Sequence, residues 1–399
     1  MKSTITPDMP LVNAQSIHSL DVSPLLDRLR QITDTRGRKG RRYPLSWLLL
    51  LIILAKLCGE DRPSGIADWV AGRHKQWREH LHLDWLTMPH HSTYRRILEH
   101  VVKPDEIDHL VSEVSQGKHG ADHIVLIAMD GKTLRGTIGR DHPRGEHLLS
   151  AYLPDEGIVL GQRAMSEKSN EITEAPALLK DLHLEGKVVA ADAMHTQREL
   201  STQILDSGGE YLWVAKGNQP TLLGDIEYLF NSDRTTTTGG RVPDDFESYK
   251  TCDKGHGRLE VRKITTSGML AGYVEWPGLE QVFRLRRERT DLKTGKMTCE
   301  VVYGLTSLSR QEASASRLLE LVRRYWGIEN GLHNRRDVTF QEDRCRLTLG
   351  SAGRVVASIN NLIISLLNRA GHRNIAQGRR LCDASLPYAL NLITACLIT

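Results

Sequence analysis

The chain of 399 residues lacks several things that would point to a function directly. Its six cysteines (Cys58, Cys252, Cys299, Cys345, Cys382 and Cys396) stand far apart, with no C-x-x-C pair. This excludes a zinc ribbon and a dense disulfide scaffold, and fits a reducing, cytoplasmic setting. Net charge is nearly absent: 53 Lys plus Arg against 49 Asp plus Glu leaves +4. That total is too small to argue a nucleic-acid partner. There is no apolar run of the ~20 residues a membrane-spanning helix needs. The greasiest stretch, Leu45 to Ala55, follows a basic run, Arg36 to Arg42, and so imitates a signal peptide. Its internal position and short length predict a buried core helix instead. The first residues, MKSTITPDMPLVNAQS, hold no apolar stretch of signal-peptide type. No internal repeat is visible, and no nucleophilic Ser or Cys motif.

What is present reads as a folded chain of two to three domains, with 40% hydrophobic and 26% charged residues. The first 110 or so residues read as helical: Leu25 to Ile32, the apolar helix behind Tyr43-Pro44, Ile66 to Trp77, and Ser92 to Val102 with Ser92 as N-cap. From Ile124 the pattern changes to short apolar runs alternating with helical segments, which predicts an α/β unit. Strands are expected at Ile124–Asp130, His147–Tyr152, Gly157–Ala164, Lys187–Asp192 and Tyr211–Ala215, and helices at Glu174–Leu182 and Gln197–Asp206. Asn231 to Ser248 reads as a polar loop. Three alternating stretches follow, Leu259–Thr265, Gln281–Glu288 and Met297–Leu305. After Gln311 the chain turns helical again, at Arg317–Arg324, Ile328–Asp337 and Val355–Leu367. From Arg323 to Arg380 there are eleven Arg, no Lys and four acids, a local +7. Arginine excess of that kind suits phosphate.

Two features carry chemistry. Asp130 and Asp192 each end a buried apolar run, where open α/β sheets bind ligands. Two carboxylates at adjacent strand ends repel unless a cation or proton neutralises them, and hard oxygen donors suit Mg2+ or Mn2+. A third acid would complete the set. On an α-helix Glu329 shares a face with His333, Arg336 and Asp337, but spacing alone leaves Glu329, Asp337 and Glu342 all open. Two such ions, about 3.5–4 Å apart, drive in-line attack on a phosphodiester without a covalent enzyme intermediate.

Long ordered segments carry a family resemblance: AMDGKTLRGT (Ala128 to Thr137), HLLSAY (His147 to Tyr152), SEKSNEIT (Ser166 to Thr173), ADAMHTQ (Ala191 to Gln197), YLWVAKGNQP (Tyr211 to Pro220), WGIENGLHNRRDVTFQED (Trp326 to Asp343) and NNLI (Asn360 to Ile363). With the helical segment before them, they make the chain similar to bacterial insertion-sequence transposases of the DDE type. The resemblance is to the ISAs-type branch that includes the H-repeat-associated proteins of Rhs elements, over about residues 20 to 370. It implies that Asp130, Asp192 and Glu329 are the catalytic, metal-holding acids. It implies an RNase H-like catalytic domain over 120–225 and 310–375, with a β-rich insertion at 226–309. A helical DNA-binding domain would precede it at 1–115, and C-terminal helices and a tail at 376–399 would follow. Lys132, Arg135, Lys168, Asn170, Lys216, Asn218, His333 and Asp337 fall on family motif positions near the acids, and take DNA-positioning or supporting roles. Asn334, Arg335 and Arg336 depart from the Trp and apolar pair that relatives carry there, and the basic pair is expected to touch DNA.

The function so implied is a transposase that binds the terminal inverted repeats of its element, cuts the strands using two divalent ions, and joins the 3′-OH ends to target DNA. A homodimer on double-stranded DNA is expected, without a membrane partner, in a nucleoid-associated cytoplasmic setting. Arg38, Lys39, Arg41 and Arg42 are expected to grip phosphates, Arg95 and Arg96 to lie on a recognition helix with Tyr94, and Arg323 to contact DNA. The alternatives are a repurposed DNA-binding protein and a stand-alone nuclease of the same fold.

Overall fold

A computed structural model describes residues 22–115, 124–139, 143–165, 169–231 and 245–395. The described residues begin with six α-helices: α1 (Ser23–Arg30), α2 (Leu45–Leu57), α3 (Pro63–Gly72), α4 (His74–Leu81), α5 (His91–Arg96) and α6 (Pro104–Ser115). α2, LSWLLLLIILAKL, is apolar on every side and is buried on every side, as such a helix must be. Its one cation, Lys56, is 1% exposed and reaches Asp61 Oδ1 at 3.0 Å. The segment expected as one helix over 66–77 is two, α3 and α4. α5 starts at His91, and its N-cap is His90, whose ring accepts the Ser92 N–H; Ser92 itself lies inside the helix.

The central sheet follows. Its strands are β1 (Val125–Leu134), β2 (Glu146–Leu153), β3 (Ile158–Ala164), β4 (Lys187–Ala191) and β5 (Glu210–Ala215). Helices α7 (Glu171–Lys180), α8 (Arg198–Asp206) and α9 (Pro220–Asn231) alternate with the later strands. Four further strands, β6 (Glu247–Gly255), β7 (Arg258–Ser267), β8 (Gln281–Asp291) and β9 (Met297–Thr306), come from the segment expected as an insertion. They extend the same sheet, in the order β3-β2-β1-β4-β5-β9-β8-β7-β6. β1, β4 and β5 run parallel to one another, and every other neighbouring pair is antiparallel. β6 falls partly in the stretch read as a loop.

Helices then close the chain: α10 (Ala315–Tyr325), α11 (Asn334–Val338), α12 (Ala352–Arg369), α13 (Ile375–Ala384) and α14 (Leu386–Ala395). The last two occupy the stretch expected as a tail. Alternate residues of β1 and β4 face opposite layers. Ile127, Met129, Val189 and Ala191 pack towards α7, α8 and α9. Leu126, Ala128, Val188 and Ala190 pack towards α10 and α12, in a core that continues without a break into α1–α6 and α13–α14. Burial on both faces explains why β1 and β4 read as unbroken apolar runs. Among the described residues no helix is long and apolar enough to cross a membrane.

Candidate active site

The parallel ladder between β1 and β4 ends at Met129 opposite Ala191. The next residue on each strand is an acid, Asp130 and Asp192. β1 does not end there, as the sequence suggested. It runs on to Leu134 against β2, with Asp130 opposite Ser150. Two residues beyond Ala128 and Ala190, both acids keep the parity of the α10 face. Asp192 Oδ1 accepts the Met194 N–H at 3.0 Å and so caps the 3₁₀ turn Ala193–His195. Asp130 Oδ2 lies 3.4 Å from His333 Nε2.

Glu329 stands on the turn whose last residue, His333, approaches Asp130. α10 ends at Tyr325, and after a short turn the chain enters a single π-helical turn, Glu329–His333, before α11. Burial pushes the Tyr325 phenol well above its usual pKa, and Asp130, Asp192, Glu329 and Glu171 push it further. One buried hydroxyl therefore feels all three candidate acids and a fourth. The wider π turn also corrects the α-helical face expected from spacing. Glu329 is exposed, whereas His333 is 5% and Arg336 0% exposed.

The fourth acid, Glu171, is the residue that sequence reasoning missed. It opens α7 directly after Asn170, whose side chain caps that helix in a reciprocal box with Thr173. His147 Nε2 donates to Glu171 Oε1 at 2.8 Å and His195 Nε2 to Oε2 at 3.0 Å. Burial raises the Glu171 carboxyl, but these two hydrogen bonds outweigh it and hold the pKa down at about 2. The bridge ties β2 and the turn after Asp192 to the start of α7. A Cβ on Gly131 would stand 2.2 Å from Glu171 Oε1 and 2.4 Å from His147 Nε2, so only glycine allows this approach. The signal available in the sequence was an acid next to a capping Asn, inside a segment already singled out.

The other expected site residues divide into two groups. Lys132 is nearly buried and donates to Asp337 Oδ1 at 2.6 Å, with Asp343 at 3.8 Å, so its charge is spent inside the fold. Asn218 donates to the Ala193 carbonyl at 2.6 Å, bracing the turn after Asp192. Arg336 overturns its expectation outright. It is fully buried, held by Glu342 at 2.8 Å and Gln162 at 3.3 Å, and has no surface to offer a phosphate. Its neighbour Arg335 donates to Asn368 at 3.0 Å. His333 is too buried for a direct DNA contact, and neither of its ring nitrogens has a hydrogen-bond partner.

Exposed cations make the second group. Arg38 and Lys39 stand on a 3₁₀ turn, Arg41 donates to the Arg36 and Asp34 carbonyls, and Arg42 to Thr87. Arg95, Arg96, Lys216 and Arg135 are exposed, while Arg323 reaches Asp253 at 3.3 Å. Tyr94, expected beside Arg95 and Arg96 on a recognition helix, is wholly buried. Lys168 lies outside the described residues.

Three carboxylates with free oxygens are the donors that a hard divalent cation prefers. Among the described residues no three His, Cys, Asp or Glu side chains stand close enough to hold one ion as they are placed. The donor chemistry fits; closure around an ion needs Glu329 to turn inward from its exposed position.

Residues 122–364 match the family described as Transposase DDE domain, and 26–113 match the region described as DDE_Tnp_1-associated. The chain is 28% identical over 361 residues to "H repeat-associated putative transposase YhhI" of Escherichia coli (strain K12), covering 87% of this chain and 91% of that one. It is 28% identical over 366 residues to "Putative transposase YncI" of Escherichia coli O157:H7, at 87% and 88% coverage. A solved piggyBac transposase synaptic complex with hairpin DNA superposes with a TM-score of 0.41 at 12% identity, over 94% of this chain and 78% of that one. Since the family match spans well over half of its length, the chain belongs to the transposase DDE domain family.

Proposed function

We propose that this protein is a metal-dependent DNA transposase that recognises the terminal inverted repeats of an insertion sequence, cuts the phosphodiester backbone there, and joins the 3′-OH ends to target DNA. The observation that carries the reading is the placement of Asp130 and Asp192 one residue past the last rung of the parallel β1–β4 ladder, with Glu329 on a π turn whose His333 Nε2 lies 3.4 Å from Asp130 Oδ2. An antiparallel meander, β3-β2-β1, continued by the parallel β4 and β5, supports an RNase H-like catalytic unit over 120–225 and 310–375. Divalent ions, two of Mg2+ or Mn2+, would supply the activation of water or 3′-hydroxyl and the neutralisation of the leaving oxygen. Asp130 presents its carboxylate from within β1 and Asp192 from just past the end of β4. Glu329 swings in from its exposed turn. Glu171, through His147 and His195, ties β2 and the turn after Asp192 to α7, and Lys132 with Asp337 fixes α11 against β1.

The exposed cations Arg38, Lys39, Arg95, Arg96, Arg135 and Lys216 are assigned to phosphate contacts, and Lys168 is assigned with them on its motif position. A homodimer would hold the two ends together. The test is nicking of a labelled duplex that carries the element's terminal repeat, with Mg2+ or Mn2+. Asp130→Asn should bind the repeat and not cut it; a variant that cuts like wild type would sink the reading. Binding without cutting by wild type would favour a repurposed DNA-binding protein, and cutting without end specificity a stand-alone nuclease.

A further inference from the structure

The β6–β9 extension sorts its charges by face. β-strand side chains alternate between faces, and the unbroken register of β6 through β9 fixes which residues share a side. The inner face looks at α10, and its arginines around Glu260 are neutralised. Glu260 alone reaches Arg262 at 2.6 Å and Arg289 at 3.2 Å, and also pairs with Arg287, which in turn lies over the Trp326 ring. The outer face carries Lys250, Lys254, Lys263, Arg284 and Arg286 against the single carboxylate of Glu288. That is a net of +4 on one side of four strands.

Three of these cations line up. Lys250 on β6 is directly opposite Lys263 on β7, and Lys263 is directly opposite Arg286 on β8. All three are exposed. Neither lysine has a carboxylate partner among the described residues, and the carboxylate beside Arg286 is that of Glu288 on its own strand, at 2.7 Å. Like charges placed directly opposite each other destabilise a sheet, so the row costs stability where it stands. Lysine on an edge strand is a known device to discourage another strand from pairing. That accounts for Lys250 and Lys254 on β6. It does not account for Lys263 and Arg286, which stand on strands paired on both sides.

We propose that this outer face is a docking surface for duplex DNA, gripped at the phosphates by Lys250, Lys263 and Arg286. The inference rests on the reading of the chain as a DNA-acting transposase, and adds a surface distinct from the acidic cluster. Adjacent strands lie about 4.8 Å apart, so the row spans about 10 Å. One DNA strand carries a phosphate per about 3.4 Å of axis, so the row faces about three of them. A polyanion laid across the row would convert the mutual repulsion of the cations into attraction, and it asks nothing of base sequence.

The test uses the full chain and a fluorescent mixed-sequence duplex, with binding measured across a salt series for wild type and for Lys250→Gln/Lys263→Gln/Arg286→Gln. Each phosphate contact contributes about 0.9 to the slope of log affinity against log salt. Wild type should therefore lose about 40-fold more affinity than the triple variant between about 50 and 200 mM salt. The triple variant should unfold at the same or a higher temperature than wild type, because the facing charges are gone. Lys263→Gln alone should lower the slope by about 0.9. Wild-type binding with a slope that the triple variant leaves unchanged overturns this surface alone. Wild type that binds neither this duplex nor the element's ends at low salt overturns both the surface and the transposase reading.

Discussion

Glu171 holds two imidazoles on one carboxylate, and its free-energy consequence can be worked out. Its carboxyl sits at about 2, below the ordinary 4.5. A depressed carboxylate stabilises the fold above the unfolded pKa and loses that contribution as the pH falls through the folded one. The contribution is therefore complete above about pH 5, is worth on the order of 3 kcal/mol, and drains away between about pH 4.5 and 2. Glu171→Gln should lower the unfolding free energy at pH 7 and flatten its dependence on acid, measured by urea unfolding across that range. An acid limb as steep as wild type's would remove Glu171 from this role. Arg336 makes a second residue-scale prediction. Arg336→Met leaves Glu342, itself 6% exposed, without its charge partner. The loss should be about 3–5 kcal/mol, and Arg336→Met/Glu342→Leu should recover part of it. A single variant within about 0.5 kcal/mol of wild type, as at an exposed site, would contradict the pairing. The sequence could not show this arginine's place, because its partners Gln162 and Glu342 are brought to it only by the tertiary fold.

At the scale of the element, the π turn Glu329–His333 decides how the third acid is presented. Such turns insert one extra residue into helical geometry and recur at functional sites. Here it lets Glu329 face solvent while Leu332, His333 and Arg336 go into the core. Deleting Asn330 should convert the turn to ordinary α-helix and rotate Glu329 by about 100° relative to α11. Strand cleavage should be lost, with cooperative thermal unfolding retained; a deletion that still cuts would show that the π geometry is dispensable. Helical periodicity located this segment but assumed 3.6 residues per turn, so it drew the wrong stripe. The strands divide in a similar way. β1 and β4 were readable because burial on both faces leaves an apolar run ending at an acid. β6 was not, because ESYKTCDKG is exposed along most of its length and so carries no apolar alternation. α13 and α14 also escaped: α14, LPYALNLITA, is apolar along most of its length, but it is short and its place shows only where α2 and α12 pack against it.

The whole molecule joins what the sequence divided. The N-terminal helices were expected as a module of their own, yet α2 and α6 pack with α12 and the C-terminal helices in one continuous core. Each fully buried leucine of α2 contributes about 1.5–3 kcal/mol on leaving water. A piece beginning at residue 116 should therefore expose that face and aggregate, as read by size-exclusion chromatography; a monodisperse, cooperatively folding fragment would show that the two parts are separable. The same joining sets Asp130 on β1 beside Asp192 just past β4, and brings the π turn that carries Glu329 against Asp130 through His333, across almost 200 residues of chain. Their convergence as one cation-holding set is the central claim, and Mn2+ titration followed by electron paramagnetic resonance tests it most directly. Wild type, with repeat-bearing duplex present, should bind the ion, and Asp130→Asn, Asp192→Asn and Glu329→Gln should each weaken that binding while leaving DNA affinity near wild type. Mn2+ binding unchanged in all three variants would contradict the claim.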